Sequence, residues 1–71
     1  MSDFIEVNPE KLSGAPVFKG TRVLVQSLFD YLEGGDSIDE FLSDFPTVSR
    51  THVTGLLEDL RREAIPDTEA A

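Results

Sequence analysis

Three times along this chain, apolar residues recur at the spacing of one helix face. Val25, Leu28, Phe29 and Leu32 fall at i, i+3, i+4 and i+7; Ile38, Phe41, Leu42 and Phe45 repeat that spacing, and so do Val53, Leu56, Leu57 and Leu60. Each set covers one side of a helix with about 3.6 residues per turn. The breaks between the sets are equally legible. The first helix is predicted to begin near Val25 or Gln26 and to stop at Gly34-Gly35, where glycine most easily supplies the left-handed closing residue. Ser37-Ile38-Asp39-Glu40 matches a capping box, in which the serine hydroxyl takes the amide of the glutamate and the glutamate reaches back. Pro46 disfavours helical dihedrals at Phe45 and ends the second helix. Ser49 is the expected N-cap of a third, running to about Glu63 or Ala64. The second and third helices are joined only by Pro46-Thr47-Val48-Ser49, so they must cross, which is the outline of a helix-turn-helix.

Ahead of the helices the period changes. Phe4–Val7, Pro16–Phe18 and Arg22–Val25 are short β-prone runs, with Asn8-Pro9 and Lys19-Gly20-Thr21 as turns, and the last two suggest a hairpin. Strands this short do not stand alone in water, so they should pack on the helices or pair with a second copy. The expected organisation is a mainly α protein with residues 1–25 as an N-terminal β arm used in oligomerisation, 26–64 as a trihelical helix-turn-helix core, and 65–71 as a disordered acidic tail.

Length and charge add to this. A 71-residue chain buries a small core, and with no cysteine and one histidine neither disulfides nor a zinc cluster is expected to staple it. Association, as a homodimer or with an obligate partner, is the remaining device. No secretory leader or membrane-spanning run is visible, so a cytoplasmic location is expected. The net charge of −8 is unevenly placed. Residues 23–49 hold six acids (Asp30, Glu33, Asp36, Asp39, Glu40, Asp44) and no base, whereas residues 1–22 and 50–63 are each balanced. A protein that grips phosphates normally shows a basic face, and here the concentrated sign is negative, which favours a basic partner.

The stretch Gly14-Ala15-Pro16-Val17-Phe18-Lys19-Gly20-Thr21-Arg22-Val23 narrows the field. With Pro9 upstream, Gly35 after the first helix and Asp44-Phe45-Pro46 after the second, it resembles a prokaryotic family of small helix-turn-helix proteins, the "domain of unknown function 433". The resemblance runs from Ile5 to about Glu63, although Val23-Leu24 stands where the family often has Ile-Pro. It implies a homeodomain-like three-helix bundle with a short N-terminal β arm. It also implies the role of antitoxin in a type II toxin–antitoxin pair, beside a PIN-like ribonuclease toxin.

The candidate site residues fall into three groups. A recognition-helix reading places Ser49, Arg50, Thr51, His52 and Thr54, with Glu58 further along, toward a DNA groove; a solvated helix face is the plain alternative. Acids at the start of the second helix oppose DNA contact, since that helix crosses the phosphate backbone. In the arm, Val17, Phe18, Gly20, Thr21, Arg22 and Val23 are the expected oligomer contacts, with Arg22 facing an acid across a dimer or lying in solvent. Asp36, Asp39, Glu40 and Asp44 are the expected docking acids for a basic partner such as the RNA groove of a toxin, or simply a solubilising face.

Lys19-Gly20-Thr21 lacks the order and the βαβ setting of a phosphate loop, and Ser49 with His52 lacks an oxyanion hole, so neither an enzyme nor a cofactor is expected. The leading expectation is an antitoxin-like homodimer that neutralises a ribonuclease-type toxin and represses its own operon. A stand-alone DNA-binding regulator and a structural oligomerisation module are the alternatives.

Overall fold

The computed structural model describes residues 2–66; the expected acidic tail lies outside the described residues from position 67 onward. Two short strands, β1 (Ile5–Glu6) and β2 (Val17–Phe18), precede three helices, α1 (Val25–Glu33), α2 (Ile38–Asp44) and α3 (Arg50–Ala64). The chain is therefore mainly helical, a small three-helix bundle with a two-stranded antiparallel sheet at its N-terminus.

The helix ends follow the local chemistry. At the end of α1 the Asp36 and Gly35 amides donate back to the carbonyls of Tyr31 (2.9 Å) and Leu32 (3.1 Å), with Gly35 at φ +90°. This is the paired closure that a left-handed glycine allows. Ser37 caps α2 with its Oγ accepting from the Glu40 amide at 3.0 Å, while Glu40 Oε1 accepts from the Ser37 amide at 2.9 Å. Ser49 caps α3, and its box is closed by His52. α1 has no side-chain cap. Its first amide, Val25, donates instead to the carbonyl of Pro16 at 3.0 Å, so the arm closes this helix.

That dependence runs through the whole arm. β1 and β2 pair with Ile5 opposite Phe18 and Glu6 opposite Val17. On its other side β2 holds only a single bridge, Val17 to Leu24. The expected strand over Arg22–Val25 does not form, because Leu24 is already the residue preceding α1 and Val25 its first turn. The loop expected over Glu10–Ala15 contains a tight turn at Leu12–Gly14, in which Leu12 (φ +50°), Ser13 (φ +58°) and Gly14 (φ +83°) are all left-handed.

Val17, Phe18, Val25, Leu28, Phe41, Val48, Val53 and Leu56 are buried. Val17 and Phe18 come from the arm and Val48 from the turn between α2 and α3, so the core is not built from the helical stripes alone. The Phe18 ring tilts against Phe41 at 5.9 Å. Leu60, expected on the inner face of α3, is 39 % exposed. Earlier on that helix the Phe4 ring lies over Gly55, and a Cβ at Gly55 would overlap it. Ser2 Oγ donates to Asp59 Oδ2 at 2.6 Å, so the N-terminal segment runs along α3 rather than away from it.

Candidate interaction surfaces

The residues expected to face a DNA groove are placed unequally. Ser49 is committed to the N-cap of α3, its Oγ accepting from the His52 amide at 3.1 Å. His52 turns away from the outer face. Its Nδ1 accepts from the Ser49 amide at 3.1 Å, so the ring proton sits on Nε2, which donates to the Lys19 carbonyl at 2.9 Å. The ring meets Phe4 and Phe18 edge-on, at 6.5 and 6.1 Å. His52 thus takes part in the junction between α3 and the arm, which engages both of its ring nitrogens. Thr54 Oγ1 donates to the Arg50 carbonyl at 3.0 Å. Arg50 pairs through Nη2 with Asp39 Oδ1, and both side chains are largely exposed. Thr51 is exposed. Further along, Glu58 is held by Arg61 at 2.8 Å and Arg62 at 3.3 Å, and the Arg61 hydrogen bonds keep its carboxyl below the usual range.

The arm residues divide as well. Val17 and Phe18 are fully buried and Thr21 nearly so, in the chain's own core, so in the folded protomer those side chains are not free to contact a second copy. This corrects their place among the expected oligomer contacts. The turn accounts for the next residues in detail. Gly20 takes φ +79°, and Thr21 Oγ1 donates to the Phe18 carbonyl at 2.8 Å while accepting from the Val23 amide at 3.0 Å. Glu6 ties the turn to the loop before it, accepting from the Gly20 amide at 3.1 Å and from Lys11 at 3.3 Å. Those donors, the Gly20 amide first, hold the Glu6 carboxyl below its ordinary range. Val23 is half-buried and Arg22 exposed.

All six acids between positions 23 and 49 are exposed. Some of them converge on Tyr31, a half-buried residue of α1 whose ring packs edge-on to Phe41 (5.4 Å) and Phe45 (5.8 Å). Its hydroxyl donates to Asp44 Oδ2 at 2.6 Å. That hydrogen bond, with partial burial and the negative field of Asp44, Asp36 and Glu40, raises the phenol above its ordinary value. Asp44 thus bonds the Tyr31 hydroxyl directly, while Asp36 and Glu40 act on it only through their charge, linking α1 to the acidic start and end of α2. Asp39 is set apart by its pairing with Arg50.

Two shallow concavities flank the arm. One, of about 370 Å³, is apolar and lined by Ala15, Pro16, Leu24, Val25, Gln26 and Phe29. The other, of about 420 Å³, is lined by Lys11, Gly20, Thr21, Arg22, Val23 and Thr47. It joins the Gly20-Thr21-Arg22 turn to the turn of the helix-turn-helix.

The family model described as "Protein of unknown function (DUF433)" matches residues 5–58, from β1 through most of α3. The chain belongs to this family. The match spans the arm and all three helices, in keeping with a DUF433 unit whose arm is part of its core. Comparison with curated proteins and with solved structures returns no match. Among the described residues of this DUF433 chain, no helix is long and apolar enough to cross a membrane.

Proposed function

We propose that this DUF433 chain is a non-enzymatic interaction module, antitoxin-like, that docks a basic protein partner on the α1–α2 face and so neutralises a ribonuclease-type toxin. The observation that carries this reading is the run of six exposed acids in residues 23–49 with no base among them, one of which, Asp44, bonds Tyr31. A nuclease groove that accommodates RNA is cationic, and carboxylates at this density imitate the phosphate backbone. Long-range attraction between such surfaces raises association rates by about ten- to a thousandfold at low salt. The aromatic floor of Tyr31 and Phe45 also suits an arginine from a partner, which stacks on a ring while pairing with the carboxylates beside it. A homodimer is part of the same proposal, its contacts drawn from the exposed surface rather than from Val17, Phe18 and Thr21.

The test uses the product of the neighbouring reading frame, purified and mixed with this chain in a stopped-flow association measurement. The combined variant Asp36→Asn, Glu40→Gln, Asp44→Asn removes three charges but keeps the acceptor atoms that cap α2 and hold Tyr31. The expected result is association at least about tenfold slower at low salt, with the difference fading as salt rises. Equal rates for the two proteins, or a neighbouring product that does not bind, contradict the proposal.

A further inference from the structure

We propose that the junction of the arm and the helix-turn-helix turn binds the phosphodiester backbone of a nucleic acid, with Lys19 and Arg22 as the phosphate contacts. This inference is independent of the acidic-face reading, since it uses a different surface and an anionic ligand.

The first argument is the local distribution of charge. Of the chain's six basic residues, four lie at or beside this junction: Lys11, Lys19, Arg22 and Arg50. Two of the four are paired with acids, Lys11 with Glu6, which also accepts from the Gly20 amide, and Arg50 with Asp39. Lys19 and Arg22 are exposed and make no ion pair among the described residues. In a chain of net charge −8, the junction thus keeps two uncompensated cations.

The second argument is that the fold accounts for the neighbours of these residues but not for them. Gly20 supplies the left-handed turn, Thr21 bonds two backbone groups from a buried position, and the Lys19 carbonyl receives His52. The ammonium of Lys19 and the guanidinium of Arg22 have no part in this turn. Arg22 instead lines the cleft of about 420 Å³ together with Lys11 and the exposed Thr47 of the helix-turn-helix turn. The Arg22 guanidinium and the Thr47 hydroxyl at this concavity are donors suited to phosphate oxygens, while the Lys11 ammonium there is already paired with Glu6.

The third argument concerns the kind of anion. Arg22 faces the cleft, Lys19 immediately precedes Gly20-Thr21, and Arg50 begins the adjoining helix. Cations spread in this way suit a polyanion running across the surface better than a single small anion held at one point. Contacts to the backbone also need no free side chains on α3, where Ser49, Arg50, His52 and Thr54 are already engaged.

The test is fluorescence anisotropy of a short labelled DNA duplex of mixed sequence, titrated with the full chain at several salt concentrations. Two phosphate contacts predict a slope of log K against log salt near about −1.8, or roughly a twelvefold loss of affinity between about 50 and 200 mM salt. Lys19→Gln combined with Arg22→Gln should weaken low-salt binding at least tenfold, by order of magnitude, and flatten the slope. Unchanged circular dichroism melting of that variant keeps the loss attributable to the surface. Arg61→Gln combined with Arg62→Gln, which removes the pair held by Glu58, should leave binding and slope as they were. Absence of duplex binding at low salt, equal binding by the Lys19/Arg22 variant, or an equal loss in the Arg61/Arg62 variant overturns the proposal. Displacement of the duplex by inorganic phosphate beyond the effect of a chloride salt of matched ionic strength also overturns it, by showing a single-anion pocket.

Discussion

The α1–α2 face and the arm–α3 junction are built on opposite plans. On the α1–α2 face, acids gather without bases, and most of their hydrogen bonds are short-range caps or the single link from Tyr31 to Asp44. At the junction, charged and polar groups are matched: Glu6 with Lys11 and Gly20, Ser2 with Asp59, His52 with Ser49 and Lys19. Beneath that polar layer lie Phe18 and Val17, fully buried, and Phe4 over Gly55. One surface leaves its charge unsatisfied and available to a partner. The other spends nearly all of its polar groups on holding the protein together and keeps two cations over. Removing charge from the first should alter recognition and spare stability, whereas altering the second should do the reverse at every position except Lys19 and Arg22.

The largest expected effect breaks the junction from within. Phe18→Ala removes a fully buried ring that packs on Phe41, and truncations of this kind cost about 3–5 kcal/mol. Domains of this size have a total stability of only several kcal/mol, so the variant should be largely unfolded in denaturant titrations at room temperature. Phe29→Ala, on the half-buried flank of α1, should cost less. Equal losses at the two positions would show that the arm is not part of the core.

A smaller effect is expected at Gly55. Alanine is the better helix former, by about 1 kcal/mol, and on an exposed helix it would stabilise. Here its methyl group meets the Phe4 ring, so the arm must shift, and overpacking of this kind costs about 1–3 kcal/mol. Gly55→Ala should lower the midpoint in urea and speed amide exchange over β1, and the second change Phe4→Ala should recover part of the loss. A plain gain in stability would mean that the N-terminal segment does not rest on α3.

The smallest effect separates the two regions by pH. Glu6 and Glu58 have folded carboxyls held below the reference value of 4.5, so their contribution is present above that value and fades as pH falls through the lower, folded one. Tyr31 has the opposite sign. Its folded value lies above 10.0, so its contribution is present below pH 10.0 and is lost as pH rises through the folded value. Acid should therefore loosen the Glu6-bound turn and the Glu58 cluster, and alkali should loosen the Tyr31–Asp44 link between α1 and α2. Tyr31 is the sole tyrosine and the chain has no tryptophan, so its ionisation can be followed directly by ultraviolet absorbance. Asp44→Asn should bring it back toward 10.0.

Much of the helical frame was legible in the sequence because its signals are local. The capping serines, the left-handed Gly35 and the proline after Phe45 each act within a few residues, and the helices end where those residues direct. The arm was harder to place. Two-residue strands carry no period, so nothing in Val17-Phe18 says that both side chains enter the core rather than a dimer contact. One signal was present and passed over: a glycine inside a helix, where it costs stability, marks a close approach by another group, and at Gly55 that group is Phe4. His52 lies in the first turn of α3. Its ring is turned inward by partners remote in the chain, the Lys19 carbonyl and two aromatic rings, which no spacing rule discloses. The pairing of Asp39 with Arg50 is of the same kind, a contact made only once α2 and α3 have crossed.

The division of the surface into an acidic docking face and a phosphate-binding junction can be tested in one spectrum. Amide nitrogen–proton correlation spectra of the labelled chain would be recorded during titration first with an arginine-rich peptide and then with a short DNA duplex. The account predicts that the peptide shifts the resonances of Tyr31 and of Asp36 through Asp44, and that the duplex shifts those of Lys11, Lys19 through Arg22, and Thr47. Shifts on the same residues with both ligands, or a peptide that leaves the α1–α2 face unmoved, would contradict it.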